Sequence, residues 1–219
     1  MSKTSVPNEA LSKLRFFSQL DPQQLAAFRR IAVRRKFAVG ATVVRQGDLD
    51  SQLYAVTQGL LQVSVALSDS REIVLHLLRP GDLFGEVTLF DQKPRSATVT
   101  AMQPSELLSF PRDEVLSTLR HYPDVALKLL ESMAGLIRRL TDRVEDLSAL
   151  AVPARLAKKL LELADICGTP VGRNQVALPF SLSQQHLANH VQASREAVNK
   201  SIAVMVKQGL LHQTKCQIM

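Results

Sequence analysis

The sequence predicts an α+β chain: an N-terminal β-rich barrel or jelly roll, one long helix and a C-terminal helical domain. Short β-rich runs separated by turn residues fill residues 34–110. An uninterrupted apolar repeat of helical period follows over residues 123–151, and two short helices joined by a tight turn come later. With 219 residues, 46% of them hydrophobic, the chain can bury one large or two modest cores.

The N-terminal part begins with helices and continues with strands. Residues 8–32 predict two short helices broken near Asp21-Pro22, because Asp before Pro is a helix-start signal. Six β-rich runs follow, and their regular spacing is typical of a small antiparallel barrel or jelly roll. The runs cover residues 42–45, 53–57, 61–67, 72–78, 97–102 and 107–110.

The stretch 81–99, GDLFGEVTLFDQKPRSATV, predicts an anion site. Gly85 allows backbone N–H groups to approach a phosphate, Arg95 can bind two of its oxygens, and Ser96 adds a hydroxyl donor. A carboxylate such as Glu86 suits a ribose hydroxyl, so the implied ligand is a nucleotide. A short helical turn here could point its N-terminus at the phosphate. The alternative is a glycine turn followed by an unrelated surface arginine.

After Pro111-Arg112 the apolar period becomes helical, and one long helix is predicted over residues 123–151. Apolar residues recur in it at alternating spacings of four and three, which is a heptad seam that favours a dimer. The alternative is that this stripe packs on its own barrel. The seam consists of Met133, Ile137, Leu140, Val144, Leu147 and Ala151.

The C-terminal segment predicts a helix-turn-helix. A helix is expected from Val152-Pro153 through Ala164, then a loop at 168–172 and helices over 184–190 and 194–208. The formal charge of +7 favours a polyanionic partner. The inner faces should carry Leu187, Val191, Val198, Ile202 and Met205, and one exposed stripe Arg195, Glu196 and Lys200.

Two motifs resemble one family. FGEVTLF and PRSATV resemble the phosphate-binding cassette of cyclic-nucleotide-binding domains, and LSQQHLANHVQASREAVNKSIAVMVKQGLL resembles the helix-turn-helix of the cAMP receptor protein and fumarate/nitrate regulator superfamily. Together they cover nearly the whole chain. The resemblance implies a jelly-roll cyclic-nucleotide-binding domain with its dimerisation helix at about 123–151, together spanning 1–151, and a winged helix-turn-helix domain over 152–219.

The resemblance also implies a ligand set. In the cassette it comprises Phe84, Gly85, Glu86, Val87, Arg95, Ser96 and Ala97. Gly85, Arg95 and Ser96 would face the phosphate, and Glu86 the ribose 2′-hydroxyl. Leu140 and Thr141 stand where cAMP-binding members have a Thr-Ser pair on the adenine, so one hydroxyl is lost. The effector expected is cAMP; cGMP, a cyclic dinucleotide, a vestigial pocket or a haem sensor using His76 are the alternatives.

For DNA, the resemblance implies that Arg195, Glu196 and Lys200 read a TGTGA-like half-site, since arginine pairs with guanine and glutamate with cytosine. Asn199 lies on the same helix, where the family often has glycine, as it has in the turn at Gln192. The helix-start residues Ser183 and Ser194 are phosphate contacts or caps. The expected partners are double-stranded palindromic DNA, a second copy of the chain and RNA polymerase. The wing after Leu210 is short.

Other classes fit the sequence less well. The N-terminus lacks the apolar core of a signal peptide and no window has the apolar length of a membrane span, so a cytoplasmic protein without a membrane partner is expected. Two cysteines, Cys167 and Cys216, and five scattered histidines make no metal-ligand cluster. An enzyme such as a nucleotide phosphodiesterase, with catalytic residues or a metal, is therefore not expected.

Overall fold

The structure is a computed structural model, described for residues 11–68, 71–173, 175–178 and 183–212. It divides into two compact units, Met1–Arg138 and Arg139–Met219. The first is β-rich, the second contains the paired short helices, and a long helix belongs partly to each. The α+β class and the order of its parts are thus confirmed, whereas the domain boundary at 151/152 stays a prediction.

The first unit is a jelly roll of two antiparallel four-stranded sheets, β1-β8-β3-β6 and β2-β7-β4-β5. The strands are β1 Val33–Phe37, β2 Thr42–Val44, β3 Leu53–Gln58, β4 Leu61–Ala66, β5 Glu72–Leu78, β6 Leu83–Phe84, β7 Thr98–Ala101 and β8 Ser105–Phe110. The six predicted strands are all present. β1 was not predicted because VRRKF carries three cations and so lacks an apolar alternation; β6 has only two residues.

The described residues of this unit form two apolar cores. The core between the sheets contains Val44, Tyr54, Val56, Leu61, Val63, Leu78, Phe84, Val99, Ala101 and Leu107. The other joins Phe110 to the N-terminal helical segment, a 3-10 turn Phe17–Gln19 and helix α1 Pro22–Ile31. Asp21 caps α1 by accepting from the backbone N–H groups of Gln23 and Gln24, as the Asp-Pro signal predicts. Helices α2 Glu86–Asp91 and α3 Arg112–His121 complete the unit.

Helix α4, Pro123–Ala149, is one continuous helix that ends two residues before the predicted limit. The second unit continues with α5 Val152–Cys167, a hairpin of β9 Thr169–Gly172 and β10 Gln175–Ala177, and helices α6 Gln184–Val191 and α7 Arg195–Lys207. The predicted inner-face residues of α6 and α7 are all buried. Among the described residues no helix has the length and apolarity to cross a bilayer.

The β9–β10 hairpin corrects the loop predicted at 168–172. Both strands are short. β9 is exposed and contains Pro170 and Gly172, and β10 has only three residues, so neither carries an apolar alternation for a sequence pattern to detect. Gly168 permits the approach to α5, because an added Cβ would lie 2.2 Å from Val176 Cγ1 and 2.4 Å from the Ala164 carbonyl oxygen. The end of the expected wing, residues 213–219, and Cys216 with it, lies outside the described residues.

Candidate functional site

The cassette turns at Gly85, which has φ +94° and precedes the first residue of α2. An added Cβ would lie 2.6 Å from Arg95 Nη1 and 2.6 Å from the Gln52 carbonyl oxygen. Only glycine therefore combines this left-handed backbone with so close an approach of a guanidinium. The short helical turn predicted in the cassette is confirmed as α2.

Arg95 lies next to this turn and is almost completely buried. Its Nη1 donates to the Gly85 carbonyl at 3.3 Å, and its Nη2 donates to Asp50 Oδ2 and to the Gln52 carbonyl, both at 2.6 Å. Its backbone N–H donates to the Asp48 carbonyl at 2.8 Å. The arginine is thus held by protein groups on several sides, and Gly85 and Arg95 are brought together as the sequence predicted.

Asp50 and Tyr54 shape the electrostatics around Arg95. Burial alone would raise the pKa of Asp50, but the hydrogen bond and positive charge of Arg95 hold it below its ordinary value. The Tyr54 hydroxyl donates to Asp50 Oδ2 at 3.2 Å, and burial together with that carboxylate raises the pKa of Tyr54 to about 12. The Tyr54 ring lies 5.7 Å from the Arg95 guanidinium carbon, within cation–π range.

The remaining cassette residues occupy different environments. Phe84 is buried and stacks on Tyr54 with ring centroids 4.9 Å apart, so it belongs to the core as much as to the site. Glu86 is buried at the first position of α2, Val87 and Ser96 are exposed, and Ala97 is half-buried. Leu140 and Thr141 are exposed residues of α4 in the second unit.

Sequence reasoning missed Asp50, Gln52 and Tyr54. The signal that could have found them is the segment GDLDSQ, which has two aspartates and leads directly into the buried strand β3 with its aromatic residue Tyr54. A charged residue entering a buried strand needs a partner. Which partner it has depends on the antiparallel packing of segments 45 residues apart, which no local pattern specifies.

The helix-turn-helix surface is built on two capped helices. Ser183 Oγ accepts from the His186 N–H and Ser194 Oγ from the Ala197 N–H, each at 3.1 Å, so both serines are helix caps here. Gln192 closes α6 in a left-handed conformation with φ +50°, so the turn forms without the glycine that the resemblance led us to expect. The recognition stripe is exposed as predicted, at Arg195, Glu196 and Lys200.

Asn199 is half-buried, and its Oδ1 atom is shielded from solvent with no hydrogen-bond partner among the described residues. Asn199 therefore differs from Arg195, Glu196 and Lys200, whose side chains are exposed. Its assignment as a DNA-binding residue stays a prediction, like those of the other site residues.

The second unit also contains a basic cluster, which we define as the half-buried Arg143 of α4 and the buried Lys159 of α5 and His190 of α6. Arg143 Nη2 donates to the His190 carbonyl at 2.5 Å, near the C-terminal end of α6, where a cation is favourable. Lys159 pairs with Glu162 at 2.9 Å. Neither ring nitrogen of His190 has a hydrogen-bond partner in the part of the chain that the structure describes, and burial and both cations lower its pKa to about 3.

No group of three or more His, Cys, Asp or Glu side chains within the described ranges could hold a metal ion. One unit offers a buried arginine beside a glycine turn and a carboxylate, and the other offers exposed charged side chains at the start of a capped helix.

Comparison with known proteins supports both halves of this description. The family profile "Cyclic nucleotide-binding domain" matches residues 34–122, and the profile "Crp-like helix-turn-helix domain" matches residues 154–219. The two matches contain the cassette and the helix-turn-helix respectively.

The full-length relatives are transcription regulators and not enzymes. The chain is 32% identical over 202 residues to the CRP-like cAMP-activated global transcriptional regulator of Mycobacterium tuberculosis, which covers 92% of this chain and 90% of that protein. It is 30% identical over 195 residues to the cyclic AMP receptor protein of Thermus thermophilus, and the match covers 89% of this chain and 87% of that protein.

Solved structures share the fold. A CRP-family transcriptional regulator from Thermus thermophilus superposes with a TM-score of 0.71 at 26% identity, covering 84% of this chain and 90% of that one. The c-di-GMP-responsive global regulator CLP of Xanthomonas campestris superposes with a TM-score of 0.77 at 22% identity, covering 91% of this chain and 99% of that one. At this identity the likeness supports the fold alone. From its cassette, its helix-turn-helix and these relatives, the chain belongs to the Crp-Fnr family of CRP-like, cyclic-nucleotide-responsive transcription regulators.

Proposed function

We propose that the protein is a homodimeric regulator that binds cAMP at the cassette and palindromic double-stranded DNA through α7. The observation that carries this proposal is the buried Arg95 guanidinium next to the left-handed Gly85 turn. A cyclic phosphate carries one negative charge and can replace the Asp50 carboxylate as the counter-ion of Arg95. Glu86 would accept from the ribose hydroxyl, and Ser96 would donate to the phosphate.

The choice of cAMP over cGMP or a cyclic dinucleotide is supported by the cAMP-activated relatives in Mycobacterium and Thermus. Leu140 and Thr141 would lie near the base, with Thr141 supplying the one hydroxyl retained from the expected pair.

Dimerisation is supported by α4. Its apolar seam residues Ile137 and Val144 are exposed in the single chain, at 62% and 64%, and a second copy of α4 would cover them. A dimer places two copies of α7 about one DNA turn apart, which matches a palindromic site. Arg195, Glu196 and Lys200 would read bases, Asn199 would border them, and the helix caps Ser183 and Ser194 would lie nearest the phosphates. Contact with RNA polymerase is the further expectation for a regulator of this family.

The test is calorimetric titration with cAMP, cGMP and cyclic di-GMP, repeated for each ligand with a palindromic duplex. We expect cAMP to bind most tightly and to raise DNA affinity. Arg95→Lys keeps the charge but loses the planar fork, so cAMP affinity should fall at least tenfold. Arg45→Lys, on an exposed arginine of the same unit, is the control. If no ligand binds or changes DNA affinity, the proposed sensor function is wrong.

The Asp50–Arg95 pair favours a second candidate, a DNA-binding regulator with a vestigial pocket. The Asp50 carboxylate lies 2.6 Å from Arg95 Nη2, so the buried charge already has a counter-ion within the protein. For this candidate, wild type and Arg95→Lys would bind DNA equally with or without cAMP. For the sensor, only wild type would respond to cAMP.

A further inference from the structure

The first residues of the two helices of the helix-turn-helix contact each other through their side chains. Gln184 begins α6 and Arg195 begins α7, and Arg195 Nε donates to Gln184 Oε1 at 3.4 Å. We propose that Gln184 is a positioning residue: it orients the Arg195 guanidinium for base reading and thereby contributes to DNA sequence specificity without contacting a base. This inference rests on the proposed DNA-reading role of Arg195.

The contact restricts which edge of Arg195 faces outward. A guanidinium has five N–H donors, and it can bind guanine O6 and N7 either through Nη1 and Nη2 or through Nε and one Nη. Because Gln184 accepts from Nε, the end-on pair Nη1 and Nη2 is the edge left for the base. Gln184 thereby selects one of two bidentate geometries.

The backbone on both sides of this contact is fixed. The caps at Ser183 and Ser194 hold the first turns of α6 and α7, and Leu187 and Val198, one turn further along each helix, are fully buried. Only side-chain rotation is therefore left to Arg195, and ordering a long side chain costs rotamer entropy. At 3.4 Å this contact is longer than the usual N–H···O bond of about 2.7–3.2 Å, so it favours one set of rotamers and does not lock a single one.

A neutral amide suits this role better than a carboxylate. Glutamine accepts from Nε and leaves the full charge of Arg195 available to DNA, whereas glutamate would neutralise it and repel the phosphates. Gln185, the next residue, donates through Nε2 to Asn189 Oδ1 at 2.9 Å. The two adjacent glutamines thus have different partners, which makes Gln185 a matched control.

The test uses the full-length protein with its effector and a palindromic duplex selected by the wild type from a random pool. Single-base variants of that duplex and a salt series are measured by fluorescence anisotropy. For Gln184→Ala we expect about fivefold less discrimination at one guanine position, with unchanged affinity for non-specific DNA and an unchanged salt slope. Gln184→Glu should keep the discrimination but bind all duplexes about tenfold more weakly. Gln185→Ala should match the wild type.

The positioning role is overturned if Gln184→Ala leaves discrimination at every position within twofold of the wild type. It is equally overturned if Gln184→Ala weakens specific and non-specific binding alike, since that result marks a phosphate contact. In an Arg195→Ala background, Gln184→Ala should have no further effect on discrimination, because the group it orients is gone. If Arg195→Ala itself leaves discrimination unchanged, the failure lies with the proposed reading role of Arg195 and not with the Gln184 contact alone.

Discussion

The pair of Asp50 and Arg95 decides, at the scale of single residues, how the cassette responds to an anion. The guanidinium is buried, and the Asp50 carboxylate forms an ion pair with it at 2.6 Å. A phosphate that binds through Nη2 competes with Asp50 for that nitrogen, so part of its binding free energy is spent on weakening an ion pair. Ligand affinity and stability of the ligand-free unit are coupled through this one carboxylate.

Replacing Asp50 by Asn should strengthen ligand binding and weaken the ligand-free protein. The competitor for Arg95 loses its charge, so we expect cAMP to bind about tenfold more tightly, which is about 1.4 kcal/mol. The uncompensated buried Arg95 should lower the melting temperature without ligand and increase its rise on adding cAMP. Calorimetry and thermal denaturation measure both effects.

Asp48→Asn is the control for that change, because Asp48 contacts Arg95 through its backbone carbonyl, which the substitution retains. Equal cAMP affinity in Asp50→Asn and wild type would contradict the competition between carboxylate and phosphate.

His190 makes the second unit sensitive to acid. Its folded pKa is lowered to about 3 by burial, Lys159 and Arg143, with a smaller contribution from His186 of its own helix. Below about pH 6.5 the unfolded chain binds a proton that the folded chain does not. The free energy of unfolding is therefore highest above about pH 6.5 and falls as the pH drops toward about 3, by at most about 1.4 kcal/mol per pH unit.

Urea unfolding of the full chain between about pH 7.5 and 5, followed by exchange of the α6 amides, measures this loss. In His190→Phe the loss should largely vanish, because the titrating ring is gone, whereas His186→Gln, at an exposed position, should behave as the wild type. An unchanged pH dependence in His190→Phe would assign the acid sensitivity to another group.

At the scale of elements, the start of α2 depends on Gly85. In Gly85→Ala the added Cβ would lie 2.6 Å from both Arg95 Nη1 and the Gln52 carbonyl oxygen. The alanine would also have to adopt the left-handed backbone angle φ +94°. Gly40→Ala has φ +78° but nothing within 4 Å, so it isolates the backbone strain of about 1–2 kcal/mol. We expect Gly85→Ala to lower the free energy of unfolding, measured with denaturant, clearly more than Gly40→Ala does, and to abolish cAMP binding. Equal losses of unfolding free energy in the two variants would show that the close approach at Gly85 is unimportant.

The elements most easily predicted were those with a strong local pattern. Helix α4, the paired helices α6 and α7 and the central strands carry regular apolar periods or capping residues, so their limits lie within a few residues of the prediction. β1 and the β9–β10 hairpin lack such a pattern, and they form because a partner strand supplies their hydrogen bonds. Pairing of that kind is decided by tertiary packing.

At the scale of the whole molecule, the seam on α4 should hold two copies together. Ile137→Glu and Val144→Glu place a charge on the seam and should convert the dimer to a monomer, because burying an unpaired carboxylate costs several kcal/mol. The control is Leu127→Glu, because Leu127 lies outside the seam and its exposed fraction, 60%, is close to the 62% of Ile137 and the 64% of Val144. The Leu127→Glu protein should still form a dimer. Sedimentation velocity distinguishes a monomer from a dimer. If the protein remains a dimer with both seam substitutions, the interface lies elsewhere.

The sequence by itself determined the order of the parts, because that order depends on local periodicity and turn residues, and its two motifs indicated the family by their resemblance to it. Gly85 and Arg95, and the exposed stripe from Arg195 to Lys200, were predicted in this way. Only the tertiary structure decided which groups accept hydrogen bonds from the two arginines, Asp50 from Arg95 and Gln184 from Arg195. The physical reason is that packing brings these partners close from 45 and 11 residues away along the chain, and a hydrogen bond depends on distance in space.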